Sequence, residues 1–363
     1  MSGECKRSYA RQRVAACAAL ALIVAAAHGE APVASPEAER GVALLGGALH
    51  LGGYATLRVR DLDGEPARFD ARGASLLATW TPAPSWQVFV ETEIEDFVSI
   101  DRHGVNADDI DVTLERLHLD YAATPWLSLR AGKFLTPIGR WNLVHADPLQ
   151  ATVSRPLVTA LPFAMLASGL AVHGTLQLAG GDALDYVAYL DASRTLDPAH
   201  QDSTSEELDI TGPHHEYDHA GGAQLRGHFL ADRAELAVSY AEFRMRGEGA
   251  RTHLAGVDGR FVWRGVELSG EAVYAVKEFA ARSRSEWGGF VQSVVPLFGQ
   301  VAAVARFERY DGVPAAARGV RLGTLGGVWR PRPALALKLE YRVGEHNERV
   351  APDGLLASFG VLF

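Results

Sequence analysis

From residue 46 onward, apolar side chains recur at every second position and not at the 3.6-residue spacing of a helix. In LHLGGYATLRVR (49–60), Leu49, Leu51, Ala55, Leu57 and Val59 share one face, while His50, Tyr54, Thr56, Arg58 and Arg60 share the other. WQVFVETEIE (86–95) sets Trp86, Val88, Val90 and Ile94 against Glu91, Glu93 and Glu95, and LALKLEYRV (335–343) sets leucines against Lys338, Glu340 and Arg342. This period-two pattern predicts amphipathic strands. Sixteen such runs can be marked between 47–60 and 354–363, among them 126–134, 265–276, 286–295 and 319–330.

The connections between runs alternate in length. Seven are short turns (TPAPS, TP, AGGDA, LADR, RG, PLFG and PRPA), and the other connections are expected to be longer and mostly polar. An even strand count, with short turns on one side and long loops on the other, is the layout of a transmembrane antiparallel β-barrel. No run after the N-terminal region is long enough for a spanning helix, so a membrane location requires a closed sheet in which every backbone N–H and C=O finds an internal partner. Trp80, Trp86, Trp126, Trp263 and Trp329 flank the short turns, as a ring of aromatic residues at one membrane interface would. The chosen registers point Trp126 and Trp329 inward. The final run, LLASFGVLF, alternates up to Phe363 and is expected to pair with the first strand and place Phe363 in that ring.

The first residues read differently. Lys6, Arg7, Arg11 and Arg13 precede the apolar run VAACAALALIVAAA, and Ala27 and Gly29 offer a small-residue cleavage site. The expected organisation is an export signal over 1–29, a short periplasmic segment over 30–45 and a barrel over 46–363. Removing the signal takes away four basic residues and Glu4, moving the formal charge from −9 to −12, and it also removes Cys5 and Cys17. The exported chain then has no thiol chemistry. Its acidity argues against a nucleic-acid partner held by a broad basic surface; the expected surroundings are outer-membrane lipid and lipopolysaccharide.

The longest connection, FLTPIGRWNLVHADPLQATVSRPLVTALPFAMLAS, lies between the fifth and sixth runs. Its Trp141, Leu143, Leu157, Leu161 and Phe163 argue against disorder and for an inward-folded loop packed on the lumen wall. RAGKFLTPIGRWN (130–142) and HADPLQATVSRPLV (145–158), with the sixteen runs and the terminal Phe, resemble porins of the phosphate-selective O/P type. The resemblance implies a third loop that narrows a passive pore, a terminal strand recognised for membrane insertion, and a homotrimer. No cofactor or metal is implied.

Between residues 123 and 165 the charged residues are Arg130, Lys133, Arg140, Asp147 and Arg155, a net positive group in an acidic chain. In a constriction such charges concentrate anions, so Arg130, Lys133, Arg140 and Arg155 are the expected anion-attracting residues. Glu91, Glu93 and Glu95 are the expected acidic wall opposite, giving a transverse field. The inferred lumen face also mixes acids with bases such as Arg306, Arg321 and Lys338, which weakens the case for phosphate selectivity. HHEYDH (214–219) offers His214, His215, Asp218 and His219 to a divalent transition metal, but the spacing matches no standard site and a solvated loop is the default reading; NADDID (106–111) could attract calcium at the lipopolysaccharide surface, again with a solvated loop as the default. His145, Asp147 and Ser154 are close in sequence, but a hydrolytic triad is defined by geometry. A barrel hydrolase and a non-conducting structural or adhesive barrel remain the alternatives to a porin for small hydrophilic solutes or anions.

Overall fold

The computed structural model describes residues 41–106, 111–196, 216–312 and 319–363. Its main elements are β1 (Leu49–Leu62), β2 (Arg68–Ala83), β3 (Trp86–Asp101), β4 (Asp111–Thr124), β5 (Leu127–Leu135), β6 (Leu166–Gln177), β7 (Ala183–Asp191), β8 (Tyr217–Phe229), β9 (Ala234–Met245), β10 (Arg251–Trp263), β11 (Val266–Phe279), β12 (Arg282–Phe298), β13 (Val301–Asp311), β14 (Val320–Arg332), β15 (Leu335–Glu345) and β16 (Gly354–Leu362). Each pairs antiparallel with its chain neighbours. β16 returns to β1 with Leu356 opposite Arg60 and Gly360 opposite Thr56, so the sheet closes. Closure leaves no edge of unpaired backbone groups, which is what a strand protein in lipid requires. Two three-residue stubs, Val42–Leu44 and Gly104–Asn106, pair with β1 and β3. The expected export segment lies outside the described residues.

The two faces of the wall differ as the alternation requires. Leu57, Val59, Leu76, Leu129, Leu190, Leu236 and Val238 are exposed on the outside, whereas Thr56, Arg58, Glu91, Glu308, Lys338 and Glu340 are buried inside. Among the described residues no helix is long and apolar enough to cross a membrane. The strands make the crossing, and an apolar outer wall around a closed sixteen-stranded barrel places the chain in the cell outer membrane. All five turn-flanking tryptophans are between 41% and 52% exposed. Phe363 extends the seam: its N–H donates to Gly53 O at 2.9 Å and its carbonyl accepts from Gly53 N–H at 2.7 Å. Its ring occupies the space that a side chain at Gly53 would fill.

Three sequence expectations are corrected. Trp126 lies outside the strands, in the turn before β5, so strand alternation does not turn it into the lumen. In β14 the faces are displaced by one residue: Val320, Leu322, Thr324, Val328 and Arg330 are buried, while Trp329 is outside and Arg321 is a half-exposed partner of Glu345. The interior at β14 is largely apolar, so polarity points the wrong way there. The connection between β11 and β12 is only Ala280–Ala281, because both strands continue through what the composition suggests is a loop.

Candidate functional site

The third long connection, residues 136–165, enters the barrel. It carries two single turns of 3-10 helix, at Trp141–Leu143 and Asp147–Leu149, and one α-helical turn, α1 (Leu157–Ala160). Ile138, Trp141, Leu157, Val158 and Phe163 are buried against inward-facing Phe134, Tyr217, Phe243, Leu254, Phe290 and Leu322. Trp141 meets Phe290 edge-on at 6.1 Å. The barrel therefore encloses a small apolar core beneath the loop, which removes apolar surface from water and holds the loop inside.

A loop of this shape leaves backbone groups without partners in regular structure, and burial makes each unpaired group costly. The wall supplies the partners by charge type. Glu271 accepts from Arg140 N–H at 2.8 Å and Trp141 N–H at 2.5 Å. Glu340 accepts from Val153 N–H at 2.8 Å and Ser154 N–H at 3.0 Å, and Glu308 from Leu157 N–H at 2.8 Å. Basic wall residues take the carbonyls: Lys338 Nζ donates to Asp147 O at 2.8 Å and Thr152 O at 3.1 Å, and Arg330 Nη2 to Gln150 O at 2.9 Å. Arg306 donates to Glu308 Oε1, Thr152 Oγ1, Ser154 O and Ser154 Oγ over 2.7–3.0 Å, with its guanidinium 5.5 Å from the Trp141 ring centre. Gly139 has φ +70°, and a Cβ there would lie 2.2 Å from Glu271 Oε2, so glycine is required for both backbone and space.

Much of the acidic and basic lumen wall is thus engaged in fixing the loop. The four residues expected to attract anions occupy three kinds of place. Arg130 makes a two-pronged pair with Asp120 at 2.7 and 2.9 Å, and Arg140 pairs with Glu235 at 3.3 Å. Arg155 stays within the loop, donating to Asn142 Oδ1 at 2.9 Å and Thr159 Oγ1 at 3.3 Å. Lys133 lies opposite outward-facing Leu117 and donates to Leu114 O at 2.8 Å, so it shares the outer face and does not line the lumen. Of the expected acidic wall, Glu91 is fully buried and paired with Arg116 and Tyr54 Oη. Glu93 faces the loop, with a carboxylate oxygen within 4.8 Å of a His145 ring nitrogen. The Glu95 side chain lies outside the described residues, as do His214 and His215; Tyr217 and Asp218 belong to β8, where Asp218 pairs with Arg194 at 3.1 Å. Ala107 to Ile110 of the acidic stretch also lie outside them.

Water reaches part of the lumen face. The side chains of Arg60, Arg68, Arg130, Arg140 and His173 keep 20–33% exposure. Several interleave with acids, Arg60 and Arg68 both meeting Asp70, so positive and negative groups alternate along the wall.

The closed arrangement of strands has counterparts among solved structures. The anion-selective porin from Comamonas acidovorans matches with a TM-score of 0.57 at 13% identity, over 87% of this chain and 99% of that one. The outer membrane channel DcaP of Acinetobacter baumannii matches with 0.56 at 12% identity, over 89% and 99%. The trimer form of OmpT, an outer membrane protein of Vibrio cholerae, matches with 0.57 at 10% identity, over 87% and 98%. The fold is that of a porin-like outer-membrane barrel. No protein-family model matches the sequence, and no curated protein matches it.

Sequence reasoning missed the anchoring roles of Glu271, Arg306, Glu308, Arg330 and Glu340. It also missed Glu115. Between Glu91↔Arg116 and Thr92↔Leu114 the β3–β4 register shifts by one residue. The resulting bulge turns Glu115 and Arg116 inward between outward-facing Leu114 and Leu117. Two adjacent charges flanked by leucines in LERL were the available signal.

Proposed function

We propose that the chain is a porin through which small hydrophilic solutes diffuse passively, with residues 136–165 setting the narrowest section. One observation carries this reading: the loop is tied across the lumen by wall side chains of β11, β13, β14 and β15, while lumen-facing Arg60, Arg68, Arg130, Arg140 and His173 keep access to water. A polar passage with fixed charges needs no cofactor or energy source.

The preference for anions is small in this reading. Asp120 and Glu235 offset Arg130 and Arg140 at hydrogen-bond range, and Lys133 sits on the outer face, so these three leave little uncompensated positive charge to select a phosphate-like ion, and Arg155 is the one of the four left to test. A hydrolase is disfavoured because Ser154 Oγ is held by Arg306 at 2.7 Å and Asp147 Oδ2 by Lys338 at 3.0 Å. Assembly as a homotrimer in lipid and lipopolysaccharide follows by likeness to the OmpT trimer form.

Proteoliposomes containing the purified barrel test the proposal. Swelling in isotonic monosaccharide that slows steeply with larger oligosaccharides is the expected result, with a reversal potential near zero in a potassium chloride gradient. Liposomes that do not swell in any sugar contradict it; strong anion selectivity lost in Arg155→Ala contradicts the weak-selectivity part.

A further inference from the structure

We propose that Glu93, Glu115 and His145 form a binding site for a divalent transition-metal ion of the zinc class, bridging the third loop to the lumen wall. One ligand atom from each residue lies within 4.8 Å of the others. The donors come from three separate segments: Glu93 from β3, Glu115 from β4 and His145 from the loop between its two 3-10 turns. Two carboxylate oxygens and one imidazole nitrogen make a borderline donor set suited to zinc and its neighbours, leaving a position for water. Bond lengths of about 2.0–2.2 Å put neighbouring donors of a tetrahedral zinc roughly 3.3 Å apart, a contraction that carboxylate rotation can supply.

Local structure favours this convergence in three ways. The β3–β4 bulge turns Glu115 into the lumen, where strict alternation after Leu114 and before Arg116 would allow only one of the pair. Arg116, next along the bulge, turns instead to Glu91 and to the Phe89 ring, 4.6 Å from its centre. Gly73, beside β3, leaves the space in which the Glu93 carboxylate sits, since a Cβ there would lie 2.9 Å from Glu93 Oε1. The site faces the part of the loop just before Asp147, which Lys338 holds from the other side of the barrel seam. A bound cation would fasten the loop on the β3–β4 side as the wall carboxylates fasten it on the β11–β15 side.

The inference rests on the loop lying in the lumen, and its test does not depend on conduction. Zinc chloride is titrated calorimetrically into the signal-free, detergent-folded barrel, and the zinc-loaded sample is examined by X-ray absorption. The expected result is one site per chain with a nitrogen and oxygen first shell containing one imidazole. Affinity should fall on the order of tenfold or more in each of Glu93→Gln, Glu115→Gln and His145→Ala. His145→Ala changes a loop residue outside the strands, and retained heat-modifiable mobility on a gel verifies its fold. Absence of zinc binding in the wild type, or His145→Ala binding as tightly as wild type, overturns the proposal; the latter would move the ion to other histidines.

Discussion

Arg306 is buried to 1% exposure, yet every donor it is seen to use has a partner: Glu308 on its own strand, and Thr152 and Ser154 on the loop. Removing one side of a buried, hydrogen-bonded pair leaves the other charge uncompensated, at a cost of about 3–5 kcal/mol. Arg306→Ala should therefore lower the unfolding free energy of the detergent-folded barrel by that order, read from denaturant titration, and Arg306→Met should cost no less because Glu308 stays buried. Gly139→Ala should displace Glu271 from the Arg140 and Trp141 amides. Its check is a new trypsin cut after Arg140, absent from the wild type. At this scale the sequence was readable wherever the interior is polar, as at Arg58, Glu91 and Lys338. It misled at β14, where Val320, Leu322 and Val328 face an apolar loop and the only buried charge, Arg330, occupies the face that periodicity gave to lipid. Lys133 misled for the opposite reason: a charge on the outer face can satisfy itself on a neighbouring carbonyl near the strand end.

The third loop behaves as an element in its own right, with an apolar underside and a backbone satisfied by wall charges. Its length and its Trp and Phe content showed that it would fold inward. Its anchors were not readable, because they lie between 130 and 187 residues away in sequence at Glu271 and Glu340. Neutralising both anchors as Glu271→Ala with Glu340→Ala removes acceptors from four loop amides. We expect the strands to stay formed, by unchanged far-ultraviolet circular dichroism, while amide exchange over 139–154 rises by orders of magnitude relative to the wild type. Unchanged protection would mean that the apolar underside alone fixes the loop.

For the whole molecule, stability depends on the seam. β16 pairs with β1 along its length, and Phe363 adds a reciprocal pair of hydrogen bonds to Gly53 with its ring over that glycine. Deleting Phe363 should lower the temperature at which the folded band disappears on a heat-modifiability gel. Strand number, closure and the tryptophan rim were legible in the sequence because period-two patterning is local. The bulge between β3 and β4 was less so, since one extra residue reverses the faces beyond it.

The most direct test of a lumen narrowed by a wall-anchored loop is single-channel recording in planar bilayers, comparing the wild type with the Glu271→Ala, Glu340→Ala double variant. Stable steps in the wild type and larger, noisier steps in the variant are the predicted result. A wild type that passes no current, or steps of equal size in both proteins, would contradict it.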